Sequence, residues 1–182
     1  MNGAGTLCWI IPLANKQLIK MIYDYIVIGA GISGASVAYE LAKSGTVALY
    51  EAESTPGYHS TGRSAAWSTP NFGTPEVCSI NKASEAFFLN PPEGLCDTPL
   101  LSSRGALTVA SANNKHALDD LLKLSSNSSP IYEISIPEAL ALAPILRPEK
   151  IAAAVYEPNV MDIDVATLHQ GYLRGFKQLG GE

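Results

Sequence analysis

Asp24-Tyr25-Ile26-Val27-Ile28-Gly29-Ala30-Gly31-Ile32-Ser33-Gly34 reads as a buried β-strand that turns sharply on glycines and enters a helix. Gly29, Gly31 and Gly34 fill the G-x-G-x-x-G spacing that cradles a dinucleotide pyrophosphate. The first glycine permits the tight turn, the second lets backbone approach the phosphates, and the third lets helix pack close on strand. The phosphates then face free N–H groups at the positive end of the helix dipole. Glycines alone carry little weight, but the flanking sequence agrees with this reading. A helical run, Ala35 to Lys43, follows, then Gly45 and a second strand, Thr46-Val47-Ala48-Leu49-Tyr50, ending in Glu51. Glu51 lies at the offset of a ribose-binding acid. Its carboxylate accepts from ribose hydroxyls and repels a 2′-phosphate, which disfavours NADP.

Working outward, Ala52 to about Gly73 is a long stretch of small and polar residues, and loops of that length are usually functional. Pro75 and Glu76 open a predicted helix to about Leu89, with Val77, Ile80, Ala83, Phe87 and Phe88 on one face. Leu107 to Ala110, Ile131 to Ile134 and Ile151 to Tyr156 read as short strands. Asn113 to Leu124 reads as a helix with Leu118, Leu121 and Leu122 inward, and Ile136-Pro137-Glu138 starts another that fades at Pro144. Asp164 reads as the N-cap of an amphipathic helix to about Leu179, stopped by Gly180-Gly181.

Composition narrows the class. The 182 residues are 47% hydrophobic and 16% charged, which suits a packed globular chain rather than a disordered one. A formal charge of −5 with no Lys/Arg block gives no electrostatic reason to bind nucleic acid. Cys8, Cys78 and Cys96 form no C-x-x-C pair, and His59, His116 and His169 are dispersed, so no metal site is expected. An odd count of scattered cysteines points to a reducing compartment, with buried thiols. The apolar run Thr6 to Ala14 is too short to span a membrane, and Lys16 and Lys20 follow it rather than precede it as in a secretory signal.

Residues 1–20 are therefore expected to be an extension outside the fold, with the folded part starting at Met21. Only two strands belong clearly to the dinucleotide sheet, and the next parallel strand is due just past the last helix. The expected fold class is α/β: a Rossmann-like βαβ unit with inserted α+β elements, truncated before its sheet is complete. Residues 21–182 are then the N-terminal part of a longer protein.

A second loop adds specificity. In His59-Ser60-Thr61-Gly62-Arg63-Ser64-Ala65-Ala66, hydroxyls, a permissive glycine and an arginine fork suit a pyrophosphate. Three strings, together with G-A-G-I-S-G and Glu51, resemble the FAD-dependent D-amino-acid oxidase and dehydrogenase family. They are P-G-Y-H-S-T-G-R-S-A-A from Pro56 to Ala66, Asp162-Ile163-Asp164, and Leu168-His169-Gln170-Gly171-Tyr172-Leu173-Arg174-Gly175. The likeness looks nearest to the D-arginine dehydrogenase type and runs from Tyr23 to the end.

The resemblance implies FAD held by Gly29, Gly31, Ile32, Ser33 and Gly34 at the pyrophosphate and by Glu51 and Ala52 at the adenosine ribose. Ser60, Thr61, Gly62, Arg63, Ser64, Ala65 and Ala66 would cover pyrophosphate and flavin. It implies hydride transfer from the Cα of a D-amino acid to flavin N5, giving a 2-oxo acid and ammonia after hydrolysis. Substrate-side positions differ from D-arginine-type relatives: Trp67 replaces a histidine, Phe72 a tyrosine and Ala106 an acidic residue. These changes favour a more apolar D-amino acid. Secondary amines such as sarcosine or glycine, and a non-catalytic dinucleotide-binding product, stay open. The segment alone is expected to be inactive, because relatives place the substrate-carboxylate arginine in their second half. The catalytic residues and the electron acceptor stay open. The expected location is cytoplasmic, with peripheral membrane association known in some relatives.

Overall fold

The computed structural model describes residues 22–126 and 129–182. The expected extension at 1–20, Cys8 and two residues of the serine-rich loop lie outside them. The opening unit is a βαβ: β1 (Tyr25–Ile28), α1 (Ile32–Ala42) and β2 (Val47–Tyr50). The strands pair in parallel, Tyr25 opposite Val47 and Ile28 opposite Tyr50. Parallel strands need a crossover, and the eleven residues of α1 supply it. Ala35 and Ala38 are fully buried, so small side chains let α1 lie close on the sheet. Val27, Val47 and Leu49 fill that interface with Phe176.

Phe176 comes from α5 (Val165–Gln178), which packs along α1. Asp164 caps α5 by accepting the Thr167 N–H at 2.8 Å, and Gly180 ends it with φ +86°. The chain then returns to the free edge of β2. Glu182 donates its N–H to the Val47 carbonyl at 3.1 Å and accepts the Leu49 N–H at 2.6 Å, the bonding pattern of a parallel neighbour. On the sheet face away from α1, Ile26, Ile28 and Tyr50 are exposed.

Between β2 and α5 lie two small antiparallel sheets and three helices. One sheet orders β3 (Trp67–Ser68), β8 (Met161–Ile163) and β4 (Leu101–Ser103), with β8 central. The other orders β5 (Ala106–Ala110), β7 (Ala153–Glu157) and β6 (Tyr132–Ile134), with β7 central. Helix α3 (Lys115–Leu122) covers the second sheet through Leu118, Ala110, Ile131, Ala153 and Val155. Helix α4 (Ile136–Leu142) opens with a capping box between Ser135 and Glu138. Helix α2 (Pro75–Leu89) precedes β4.

The mixed α/β class and the βαβ opening agree with the sequence. Several details differ. The stretch 52–73 is not all loop: Thr61–Arg63 forms a 3-10 turn and Trp67–Ser68 pairs with β8, because Asp162 and Met161 supply the ladder. Helix α1 begins at Ile32 rather than Ala35, since Gly31 accepts the Ala35 N–H and starts the first turn. Helix α3 is shorter than expected, its first turn being the 3-10 segment Ala112–Asn114. The apolar stripe of α2 buries no residue completely: Phe87 and Phe88 pack on Leu95, Leu100 and Leu168, while Val77 and Ile80 face outward. Cys78 and Cys96 are half-buried rather than buried.

Candidate functional site

The glycine turn fixes the backbone that joins β1 to α1. Gly29 takes φ +93°, a conformation side chains resist, and so swings the chain from β1 into α1. Gly34 is fixed by contact instead: a Cβ there would lie 1.7 Å from the Gly29 carbonyl oxygen. In the first turn of α1 the N–H groups of Ser33 and Gly34 take no partner among the described residues. Two free amides at a helix N-terminus suit an anion.

Glu51 closes one side. Its Oε2 accepts the Ala30 N–H at 2.8 Å and its Oε1 accepts the Glu53 N–H at 3.0 Å. These N–H bonds, that from Glu53 first, hold its carboxyl below the usual glutamate range, so it is anionic at neutral pH. A carboxylate has about four acceptor sites, so hydroxyl donors can still be taken. Ala52 follows it at the surface.

The second loop folds over the first. Gly57 has φ +78° and its carbonyl accepts the Gly62 N–H at 2.7 Å, which tightens the 3-10 turn. From that turn Thr61 Oγ1 accepts the Ile32 N–H at 2.9 Å, tying the two loops together. Ser60, Gly62, Arg63, Ser64 and Ala65 are exposed and Ala66 half-buried; the Arg63 guanidinium lies 5.7 Å over the Tyr58 ring. Tyr58 and His59 meet edge to face, and His59 Nε2 lies 2.8 Å from Glu53 Oε1.

Trp67 and Phe72 come together with ring centroids 6.0 Å apart. They line a cavity of about 480 Å³ with Ser64, Ala65, Ala66, Asn81, Ser84 and Phe88. Among the described residues, no charged side chain lines it. An apolar hollow of about 330 Å³ adjoins it at Ser64, Ala66, Phe88 and Ile163, and reaches Ile32 and Thr61. Ala106 is not among the lining residues. It stands at the start of β5, opposite Glu157 of β7.

Two features have no signature in the sequence. One is a buried polar cluster behind the cavity. Asn71 Nδ2 donates to Glu157 Oε2 at 3.0 Å and to Ser129 Oγ at 2.9 Å, and the Thr69 hydroxyl donates to the same Glu157 oxygen at 3.2 Å. The other is the contact made by His169, a residue of the 168–175 string, which donates from Nε2 to the Ala30 carbonyl at 2.8 Å. Nothing local marks either one, because their partners lie far away along the chain. Among the described residues, no helix is long and apolar enough to cross a membrane.

Comparison with known proteins agrees with this geometry. The sequence profile of DAO, FAD dependent oxidoreductase, matches residues 24–182. Glycine oxidase from Geobacillus kaustophilus superposes with a TM-score of 0.73 at 22% identity, over 88% of this chain and 45% of that one. L-proline dehydrogenase from P. horikoshii gives 0.68 at 22% identity, over 87% and 42%. An FAD-bound L-alpha-glycerophosphate oxidase from Mycoplasma pneumoniae gives 0.72 at 19% identity, over 88% and 44%. The chain thus spans less than half the length of these solved structures.

Proposed function

Because the chain belongs to the DAO family of FAD dependent oxidoreductases, we propose that it forms the cofactor-holding part of an enzyme that oxidises the Cα–N bond of a D-amino acid with an apolar side chain, releasing a 2-oxo acid and ammonia. The observation that carries the substrate class is the cavity beside the two loops. Trp67, Phe72 and Phe88 line it, and among the described residues no carboxylate does. A guanidinium buried there in the full-length protein would lack a counter-charge from these lining residues, a loss of several kcal/mol.

FAD is the family's cofactor, and the free amides and hydroxyls suit it. In this reading Gly29, Gly31, Ile32, Ser33 and Gly34 take the pyrophosphate. Glu51 and Ala52 take the adenosine ribose, and residues 60–66 close over pyrophosphate and flavin. When bound, the flavin supplies the acceptor for the Cα hydride. The chain's own part is to bind, to orient and to exclude water. Trp67 and Phe72 would hold the substrate side chain; Ala106, off the cavity, would act only through its neighbours. Cys78 and Cys96, free thiols among the described residues, favour a cytoplasmic setting.

A second reading is oxidation of a secondary amine such as sarcosine, or of glycine. The likeness in shape to glycine oxidase supports it. Anaerobic mixing of the full-length flavoprotein with D-leucine, D-phenylalanine, D-arginine, sarcosine and glycine decides between them. Rapid bleaching of the flavin by D-leucine or D-phenylalanine is the expected result. Faster bleaching by sarcosine or glycine selects the second reading. Faster bleaching by D-arginine overturns the apolar pocket, and bound flavin that no amine reduces makes the protein a non-catalytic binder.

A further inference from the structure

His169 lies on the inner face of α5, only 4% exposed, and nothing in the proposed chemistry uses it. Its ring nonetheless touches both loops of the site. Nε2 donates to the Ala30 carbonyl at 2.8 Å, and the N–H of the same Ala30 donates to Glu51 Oε2 at 2.8 Å. The glycine turn is thereby gripped on two sides, by a side chain 139 residues away and by one 21 away.

On its other flank the ring fills the space above Gly57. A Cβ at Gly57 would sit 2.9 Å from Cε1 and 3.2 Å from Nδ1 of His169. The Gly57 carbonyl holds the turn that carries Thr61, and Thr61 in turn holds the Ile32 N–H. One imidazole therefore braces a closed circuit: Ala30, Ile32, Thr61, Gly57 and back.

We propose that His169 is a positioning residue for the cofactor: its Nε2–H bond to Ala30 keeps the glycine turn and the second loop in the arrangement that receives the pyrophosphate. The physical reason is pre-organisation. A peptide and a loop held before binding need not be ordered during it, and affinity gains accordingly. The inference rests on the cofactor reading.

The test uses the full-length protein, stripped of flavin and titrated with FAD by fluorescence quenching, with the melting temperature of each apoprotein measured alongside. His169→Gln keeps a neutral donor of similar reach; His169→Met fills similar volume without one. Loss of the donor is expected to weaken FAD binding about tenfold, as for one buried hydrogen bond. His169→Gln is expected to stay within about threefold of wild type. Equal FAD affinity in the Gln and Met variants overturns the proposal. So does a loss in both that merely follows their melting temperatures. If the wild-type protein itself fails to bind FAD, the cofactor reading falls, and the inference with it.

Discussion

Asn71 and Glu157 are both at most 5% exposed and meet through Nδ2 and Oε2 at 3.0 Å, 86 residues apart. No lysine or arginine pairs with Glu157 among the described residues. Neutral donors, Asn71 and Thr69, hold the carboxylate instead, and they tether the loop before Phe72 to β7. Glu157→Leu strands both donors and is expected to destabilise by about 2–3 kcal/mol. Glu157→Gln still offers a carbonyl oxygen and is expected to lose about 1 kcal/mol. Urea midpoints of the two variants check this; equal losses would show that the hydrogen bonds contribute nothing.

The turn at Gly34 allows no side chain. Gly34→Ala puts a methyl group against the Gly29 carbonyl, and backbone rather than a flexible side chain must move. The expected result is about 3 kcal/mol of destabilisation, at the upper end for overpacking, with flavin lost on gel filtration. A variant that keeps wild-type stability and flavin content would show that α1 and β1 can separate freely.

Acid should loosen the first turn of α5. The Thr167 N–H first, then its hydroxyl, holds the Asp164 carboxyl below its usual 3.8. A depressed native value stabilises the fold above that pH and ceases to do so as the group protonates below it. Asp164→Ala is therefore expected to cost about 1 kcal/mol at neutral pH, and less as pH falls below the ordinary aspartate value. Melting curves of wild type and variant, compared across pH, should converge on the acid side. A constant gap would assign the effect to packing instead.

If Trp67 and Phe72 hold the substrate side chain, Trp67→His should raise KM for D-leucine about tenfold while changing kcat little, because uniform binding is lost and not the hydride step. Steady-state kinetics on the full-length enzyme would show it. A fall in kcat at unchanged KM would place Trp67 against the flavin and not the substrate.

The parts of the chain legible in its sequence are those whose partners lie close by. The β1–turn–α1–β2 unit, the cap at Asp164 and the stop at Gly180 are each specified within a few residues. Strands β3, β4 and β8 are not legible, since they have only two or three residues and no alternation to read. Their ladders come from afar, as when Asp162 pairs with both Trp67 and Ser102. The stripe on α2 misleads for a related reason: periodicity says which side of a helix is apolar, and says nothing of what covers it. Asn71 and Glu157 are invisible, and so is the bond that His169 makes, because a buried polar residue is defined by its distant partner.

The uncovered face at Ile26, Ile28 and Tyr50 has a consequence for handling the protein. Strand β1 reads Tyr-Ile-Val-Ile, with no charge or proline to discourage pairing with a stranger. The strand therefore carries an adhesive edge until something shields it. Residues 22–182 expressed by themselves would be expected to collect in inclusion bodies, and a chaperone that masks extended apolar segments would be expected to raise the yield.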